Sequence, residues 1–264
     1  MRRLHLLEIA EQPWCPAAVR DGCVEYLQYM GDAGKVYASI VPHLADAIRR
    51  SGDTQVVDLG AGAGGPWRSL LPALAAVGVT PRVRLTDRYP DRAAFARIAS
   101  DTAGAVTGDP RSVDAAAVPD DLHGLRTIFS ALHHFRPEEV RAVLHDAVAR
   151  RESIAAFEAT RRDARAILLM GLTPLFVLLA TPFVRPFRWS RLFWTYVLPA
   201  IPLVTLFDGV VSCLRVYTPD ELRAMTRDLA TSDATEYTWQ AGEAGSGPIP
   251  VTFLVGAPAA RSNG

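Results

Sequence analysis

The chain has 264 residues, with 28 basic and 28 acidic side chains and no formal net charge. That balance gives no reason to expect nucleic acid as a partner, since nucleic-acid binders carry a basic excess or stripe. The length suits one large or two small domains, and Cys15, Cys23 and Cys213, at no metal-ligand spacing, fit free thiols in a reducing cytoplasm.

The opening MRRLHLLEIAEQPW carries two arginines, but His5, Glu8 and Glu11 break its apolar run, so it does not qualify as a secretion signal. Residues 1–50 read as helical. PAAVRDGCVEYLQYM and YASIVPHLADAIRR place apolar residues at three- and four-residue steps, and GDAGK interrupts them. A strand is expected at 55–59, followed by a helix over RSLLPALAAVG. RVRLTDRYP predicts a second strand ending at Asp87, and DRAAFARIAS a second helix. AGAVTGDPRSV offers a short third strand ending at Gly108 and Asp109. LRTIFSALHHF predicts a fourth strand with its loop, RPEEVRAVLHDAVAR a helix, and ESIAAFEAT a fifth strand. Strands alternating with helices of this length imply βαβ units and a parallel sheet covered on both faces.

Beyond 163 the rhythm changes. Residues 164–216 are a long apolar stretch punctuated by Pro174, Pro182, Pro186, Pro199 and Pro202. TPDELRAMTRDLA then predicts a helix with Thr218 as N-cap and Pro219 at its first position. ATEYTWQAG and PIPVTFLVGAP, separated by EAGSG, read as a final antiparallel pair, and the tail AARSNG is expected to lack order. One domain over 1–264 is expected: a helical cap at 1–50, a core at 51–162, an apolar helical insert at 163–216, and a closing helix and strands at 217–258.

VVDLGAGAGGPW, residues 56–67, is a strand running into a glycine-rich turn, and two ligand readings fit it. Gly60, Gly62 and Gly65 satisfy G-x-G-x-x-G, the dinucleotide fingerprint. Asp58 with Gly60, Gly62 and Gly64 gives D-x-G-x-G-x-G. Both exploit bare backbone ahead of a helix N-terminus. A buried carboxylate at Asp58 needs a positive or hydrogen-bonding partner. The amino group of a methionine moiety, or the backbone around it, would serve, whereas a pyrophosphate would be repelled. Asp87 can accept from ribose hydroxyls under either reading. The antiparallel ending disfavours a second mononucleotide half, and TGDPRSV puts a carboxylate where an adenine amino group could be read.

With these residues in place the chain resembles the class I S-adenosylmethionine-dependent methyltransferases. The matching stretches are VVDLGAGAGG, Asp87 closing VRLTD, GDPRSV, IFSALHHF and the final VTFLVGAP, over roughly residues 50–162 and 216–258. The resemblance implies an α/β fold: a doubly wound, mostly parallel seven-stranded Rossmann-like sheet with its last strand antiparallel. It implies S-adenosylmethionine as cofactor. Asp58, Gly60, Ala61, Gly62 and Gly64 would frame the methionine end, Asp87 with Arg88 beside it would hold the ribose, and Asp109 the adenine amino group. Ser130 would lie beside the cofactor. One departure is that Pro66 and Trp67 stand where a plain helix start is usual.

Methyl transfer needs a general base only if the acceptor must lose a proton. His133 and His134, just past strand four, are candidates, and orienting the loop is the competing account. No third ligand at suitable spacing makes them a metal site. Glu158 ends strand five as a further acid or substrate anchor. The insert has three competing readings: a helical cap burying a hydrophobic acceptor, a monotopic or re-entrant membrane segment, and an oligomer interface or plain core. Asp208, Ser212 and Arg215 share one helix face. Asp208 and Arg215 either pair with each other or line an acceptor pocket, with Trp14, Tyr26 and Tyr29 closing its opposite wall. The resulting expectation is a methyltransferase acting on a hydrophobic small molecule or lipid-like acceptor, in the cytoplasm or at the inner face of the membrane with peripheral membrane contact. The alternatives are a non-catalytic S-adenosylmethionine-binding accessory protein at membranes and a dinucleotide oxidoreductase.

Overall fold

The computed structural model describes residues 1–229, 237–246 and 250–259. In chain order the elements are α1 (Ala17–Ala33), α2 (Val41–Ser51), β1 (Gln55–Leu59), α3 (Trp67–Ala75), β2 (Arg82–Asp87), α4 (Arg92–Asp101), β3 (Val106–Ser112) and β4 (Leu125–Phe129). Then follow α5 (Pro137–Ala149), β5 (Ile154–Glu158), α6 (Ala164–Met170), α7 (Thr173–Ala180), α8 (Trp189–Leu192), α9 (Ala200–Arg215), α10 (Pro219–Leu229), β6 (Tyr237–Ala244) and β7 (Val251–Pro258). The chain divides into two compact units. One joins Met1–Val36 to Thr160–Tyr217; the other joins Tyr37–Ala159 to Thr218–Gly264.

The second unit is built on a seven-stranded sheet in the order β3-β2-β1-β4-β5-β7-β6. β1, β2, β3, β4 and β5 pair in parallel, and β7 runs antiparallel to both β5 and β6. The expected sheet, reversed last strand included, is therefore present. Its central strands read as continuous runs because both faces are covered: β5 is buried at every residue and β1 at every residue after Gln55. Strand order reverses between β1 and β4, and open α/β sheets bind ligands in the crevice at the carboxyl ends of strands beside such a switch. Ile40, Leu44, Leu70, Leu74, Leu85, Ile98 and Leu125 fill the core; each such burial contributes about 1.5–3 kcal/mol.

Local chemistry sets the element ends. Asp91 caps α4 by accepting from Ala94 N at 2.9 Å. Thr218 Oγ1 accepts from Glu221 N at 3.3 Å while Glu221 Oε2 accepts from Thr218 N at 2.9 Å, a reciprocal capping box at the predicted start of α10. β3 departs from expectation. It continues past Asp109 to Ser112, with the register shifting between Leu85 and Asp87, so that extra β3 residues bulge around Asp109, Pro110 and Arg111. Gly108 is glycine for packing, since a β-carbon there would lie 2.3 Å from Phe95 of α4.

The N-terminal helical segment is also revised. Residues 1–16 form turns and irregular chain rather than helix, and α2 belongs to the sheet unit, where Val41, Leu44, Ala45 and Ile48 join its core. In the helical unit α1, α7 and α9 share a core of Val19, Cys23, Tyr26, Val177, Ala180, Ile201 and Val204. A β-carbon on Gly22 would lie 2.3 Å from Ile201, so glycine permits the close approach of α1 and α9. The expected disordered tail lies outside the described residues from 260 onward, as do 234–236 of the expected sixth strand, 247 of the expected loop and 248–249 of the expected last strand.

Candidate functional site

The turn after β1 is left-handed at Gly60 (φ 67°), Gly62 (φ 52°), Gly64 (φ 122°) and Gly65 (φ 63°), conformations that a side chain would strain. Ala61 ties the turn to the sheet: its N–H donates to Thr86 O at 3.0 Å, and its carbonyl accepts from Gly64 N at 2.8 Å and Gly65 N at 3.1 Å. Nothing would meet a β-carbon on Gly62 within 4 Å, so the turn presents open backbone at that point.

Asp87, half-buried at the carboxyl end of β2, binds the same turn. Its Oδ2 accepts from Gly62 N at 2.9 Å and its Oδ1 from Tyr89 N at 2.8 Å. A carboxylate has about four lone-pair sites, so two remain for further donors such as a vicinal diol. That acceptor-only set, beside bare backbone, fits an adenosyl ribose. Arg88 is exposed, its guanidinium 3.8 Å from the Asp114 carboxylate.

Asp58 finds its partners inside the protein. Trp67 Nε1 donates to Oδ2 and Thr127 Oγ1 to Oδ1, each at 2.8 Å. Burial nevertheless outweighs these two bonds, and with the nearby Asp87 charge it pushes the Asp58 carboxyl up to about 7. The expected compensation by a ligand's amino group is thus supplied by an indole and a hydroxyl. The same bond accounts for the unusual Pro66–Trp67 start of α3. Gly65 is also constrained here, since a β-carbon would stand 2.8 Å from Asp58 Oδ2.

Asp109 is buried in the β3 bulge. Arg111 Nε donates to Oδ1 at 2.9 Å and Nη2 to Oδ2 at 2.8 Å, and Arg111 N also donates to Oδ1 at 2.9 Å. The guanidinium holds this carboxyl below its usual range, and Arg111 reaches on to Asp121. An adenine amino group would share Asp109 with Arg111.

Ser130, just past β4, adopts φ 44°, a left-handed strain of about 1–2 kcal/mol held by its surroundings. Tyr37 Oη lies 2.6 Å from Ser130 Oγ, and Ala159 N donates to that oxygen at 3.1 Å. Burial pushes the Tyr37 phenol up. Phe129 meets Tyr37 and Trp67 edge-on and stacks with Phe157, at centroid distances of 5.3, 5.4 and 5.4 Å. Tyr37 and Trp67 thus each contact Phe129, and with Ser130 and Asp58 they form a cluster that motif spacing does not reveal.

His133 and Glu158 form a buried pair. Nδ1 of His133 lies 2.6 Å from Glu158 Oε2, while Glu158 Oε1 accepts from Leu132 N at 2.8 Å. With the carboxylate as acceptor, Nδ1 would donate across this contact and Nε2 would be the ring's second nitrogen. His134 stacks obliquely on His133 at 4.2 Å.

The remaining candidates lie in the helical unit. Trp14 is exposed, Tyr29 half-buried, and Tyr26 buried with its phenol pushed up to about 12. Asp208 and Arg215 do not form an ion pair. Asp208 accepts from Ile9 N at 2.6 Å and Ala10 N at 2.9 Å, whereas Arg215 pairs with Glu8 at 3.3 Å and Glu11 at 3.1 Å. Ser212 Oγ donates to Glu8 at 2.8 Å. The polar face predicted on α9 therefore binds residues 8–11, a partner remote in sequence.

No protein-family profile and no curated protein matches the chain by sequence. Among solved structures it is similar to the plantazolicin methyltransferase BpumL in complex with SAH, with TM-score 0.55, 8% identity, and coverage of 94% of this chain and 93% of that one. It is also similar to a candidate O-methyltransferase of Nostoc punctiforme, with TM-score 0.51, 14% identity, and coverage of 96% of this chain and 64% of that one. The mitomycin 7-O-methyltransferase MmcR aligns at TM-score 0.47 and 17% identity over 86% of this chain, which spans 55% of MmcR. The strand order, the reversed β7 and the first two likenesses define the class I S-adenosylmethionine-dependent methyltransferase fold.

Proposed function

We propose that this chain is an S-adenosylmethionine-dependent methyltransferase acting on a hydrophobic small molecule or lipid-like acceptor through a hydroxyl or amine. The observation that carries this reading is the contact between Asp87 and Gly62 N at the switch point of the sheet. It places an acceptor-only carboxylate against open glycine backbone. The open backbone of Gly60–Gly65 would hold the methionine end, Asp87 the ribose hydroxyls, and Asp109, shared with Arg111, the adenine amino group. When bound, the cofactor supplies a methyl group on a sulfonium, ready for in-line displacement.

The chain's own residues then have two tasks. They orient the acceptor and exclude water, and His133 Nε2 takes the acceptor's proton. Glu158 fixes the tautomer through Nδ1 and stabilises the imidazolium that results. Exposed leucines and phenylalanines of the helical unit support the assignment of a hydrophobic acceptor, and a cytoplasmic enzyme working at a membrane follows from it. Incubation with radiolabelled S-adenosylmethionine and lipid extract tests the reading. Organic-phase label formed by the wild type and strongly reduced for His133→Gln is the expected result. Cofactor binding without transfer to any extract fraction would favour the non-catalytic accessory protein.

A further inference from the structure

The helical unit carries an apolar surface that methyl transfer itself does not require. Along α6, α7 and the turns that join and follow them, residues 168, 172, 175, 176, 179 and 183 recur at helical spacing, all leucine or phenylalanine and all exposed, with Leu168 at 77% and Phe183 at 65%. The opposite side buries Ala166, Val177, Ala180 and Thr181. A helix packed on one side and greasy on the other has its usual polarity reversed. The surface continues beyond α7. Tyr196 of the π-helical turn Phe193–Val197 donates to Leu178 O at 2.6 Å, and Leu203 and Phe207 of α9 are exposed as well. Contiguous apolar area beyond a few hundred Å² marks an interaction surface.

Charge and aromatic placement identify the occupant. Of the seven arginines from Arg161 to Tyr217, Arg161, Arg188, Arg191 and Arg215 form ion pairs with acidic residues of the same unit, so the charge offered to a partner rests on Arg165 and Arg185. Exposed Arg165 and Arg185 bound the stripe at its two ends. Next to Arg185 stand Phe187 and Trp189, edge to face at 5.1 Å, with Trp189 77% exposed. Aromatic rings with arginine beside an apolar stripe are the chemistry of the membrane–water interface. Ala164–Phe183 is long and apolar enough to cross a bilayer, as one of at most two such segments among the described residues. Its buried side is already taken within the helical unit, which suits a helix lying in the interface plane.

We propose that this face is a monotopic docking surface for a bilayer containing anionic lipid, with the leucine and phenylalanine stripe in the acyl region and Arg165, Arg185 and Trp189 at headgroup level. Docking needs neither cofactor nor acceptor, so it stands or falls apart from methyl transfer. Flotation of the full chain tests it, with vesicles of phosphatidylcholine alone and of phosphatidylcholine with a minor share of phosphatidylglycerol. The wild type should float with both and more strongly with the anionic vesicles. Arg165→Gln with Arg185→Gln should weaken partitioning to the anionic vesicles by about fivefold per charge and leave the neutral ones unaffected. Leu179→Ser with Trp189→Ser, both at exposed positions, should abolish flotation while the thermal transition is kept. A wild type that stays with the aqueous phase, or variants that float like it, would overturn the proposal. So would a lipid-free dimer dissolved by Leu179→Ser, which would assign the face to a second copy.

Discussion

Trp67 Nε1 donates to Asp58 Oδ2 at 2.8 Å, joining the first turn of α3 to a carboxylate buried in β1. Losing a hydrogen bond to a buried charged group costs about 1.5–3 kcal/mol. Trp67→Phe, which keeps most of the ring volume, should therefore lower unfolding stability by about that amount at pH 8. Chemical denaturation measures it. A loss no greater at pH 8 than at pH 4 would mean that the bond to the ionised form is not what the indole supplies.

The same carboxylate predicts a pH dependence. Folded Asp58 keeps its proton up to about 7, whereas its ordinary value is 3.8. The folded state then binds more protons than the unfolded state across that window, so this group's contribution to stability falls as pH rises from about 4 to about 7. Asp58→Asn should remove that decline. Denaturation midpoints at several pH values for wild type and variant give the difference directly, and parallel curves would contradict the assignment.

Asp87 and Asp109 should behave differently. Asp87→Ala removes an acceptor with lone pairs to spare, and should weaken S-adenosylmethionine binding by about 1.5–3 kcal/mol with the fold intact. Both Asp109 oxygens are engaged by Arg111, so Asp109→Asn should cost less cofactor affinity. Titration calorimetry on the two variants orders them; the reverse order would place the adenosyl group elsewhere on the sheet edge.

For the buried His133–Glu158 pair, His133→Gln should lower kcat by about 10²–10⁴-fold, the usual contribution of a general base, with cofactor affinity unchanged. Glu158→Gln should lower kcat as well, because the amide no longer fixes the tautomer as an ionised acceptor does. Equal losses in cofactor affinity and kcat would make the pair a structural element of the loop.

Much of the sheet unit was legible in the sequence because its signals are local. β1 and β5 announce themselves as short apolar runs ended by Asp58–Gly60 and Glu158, β2 and β4 as mixed runs ended by Asp87 and Ser130, and α10 by Thr218 and Glu221. The partner of Asp58 was not legible, since Trp67 meets it only once the glycine turn has folded back. The β3 bulge escaped for a similar reason: Arg111 grips Asp109 two residues away, and only the shifted register to Asp87 shows that the strand resumes. Asp208 and Arg215 share a helix face, as spacing predicts, yet their partners come from residues 8–11, about two hundred positions earlier. Helical periodicity places side chains on a face without saying what covers it.

In the proposed function the glycine turn and Asp87 together hold an adenosyl cofactor. Titration calorimetry of the purified chain with S-adenosylmethionine, S-adenosylhomocysteine and NADH tests it most directly. Saturable heat with the first two, competition between them, a marked loss in Asp87→Ala and no heat with NADH are expected. Binding of NADH with no heat from either adenosyl ligand would contradict it.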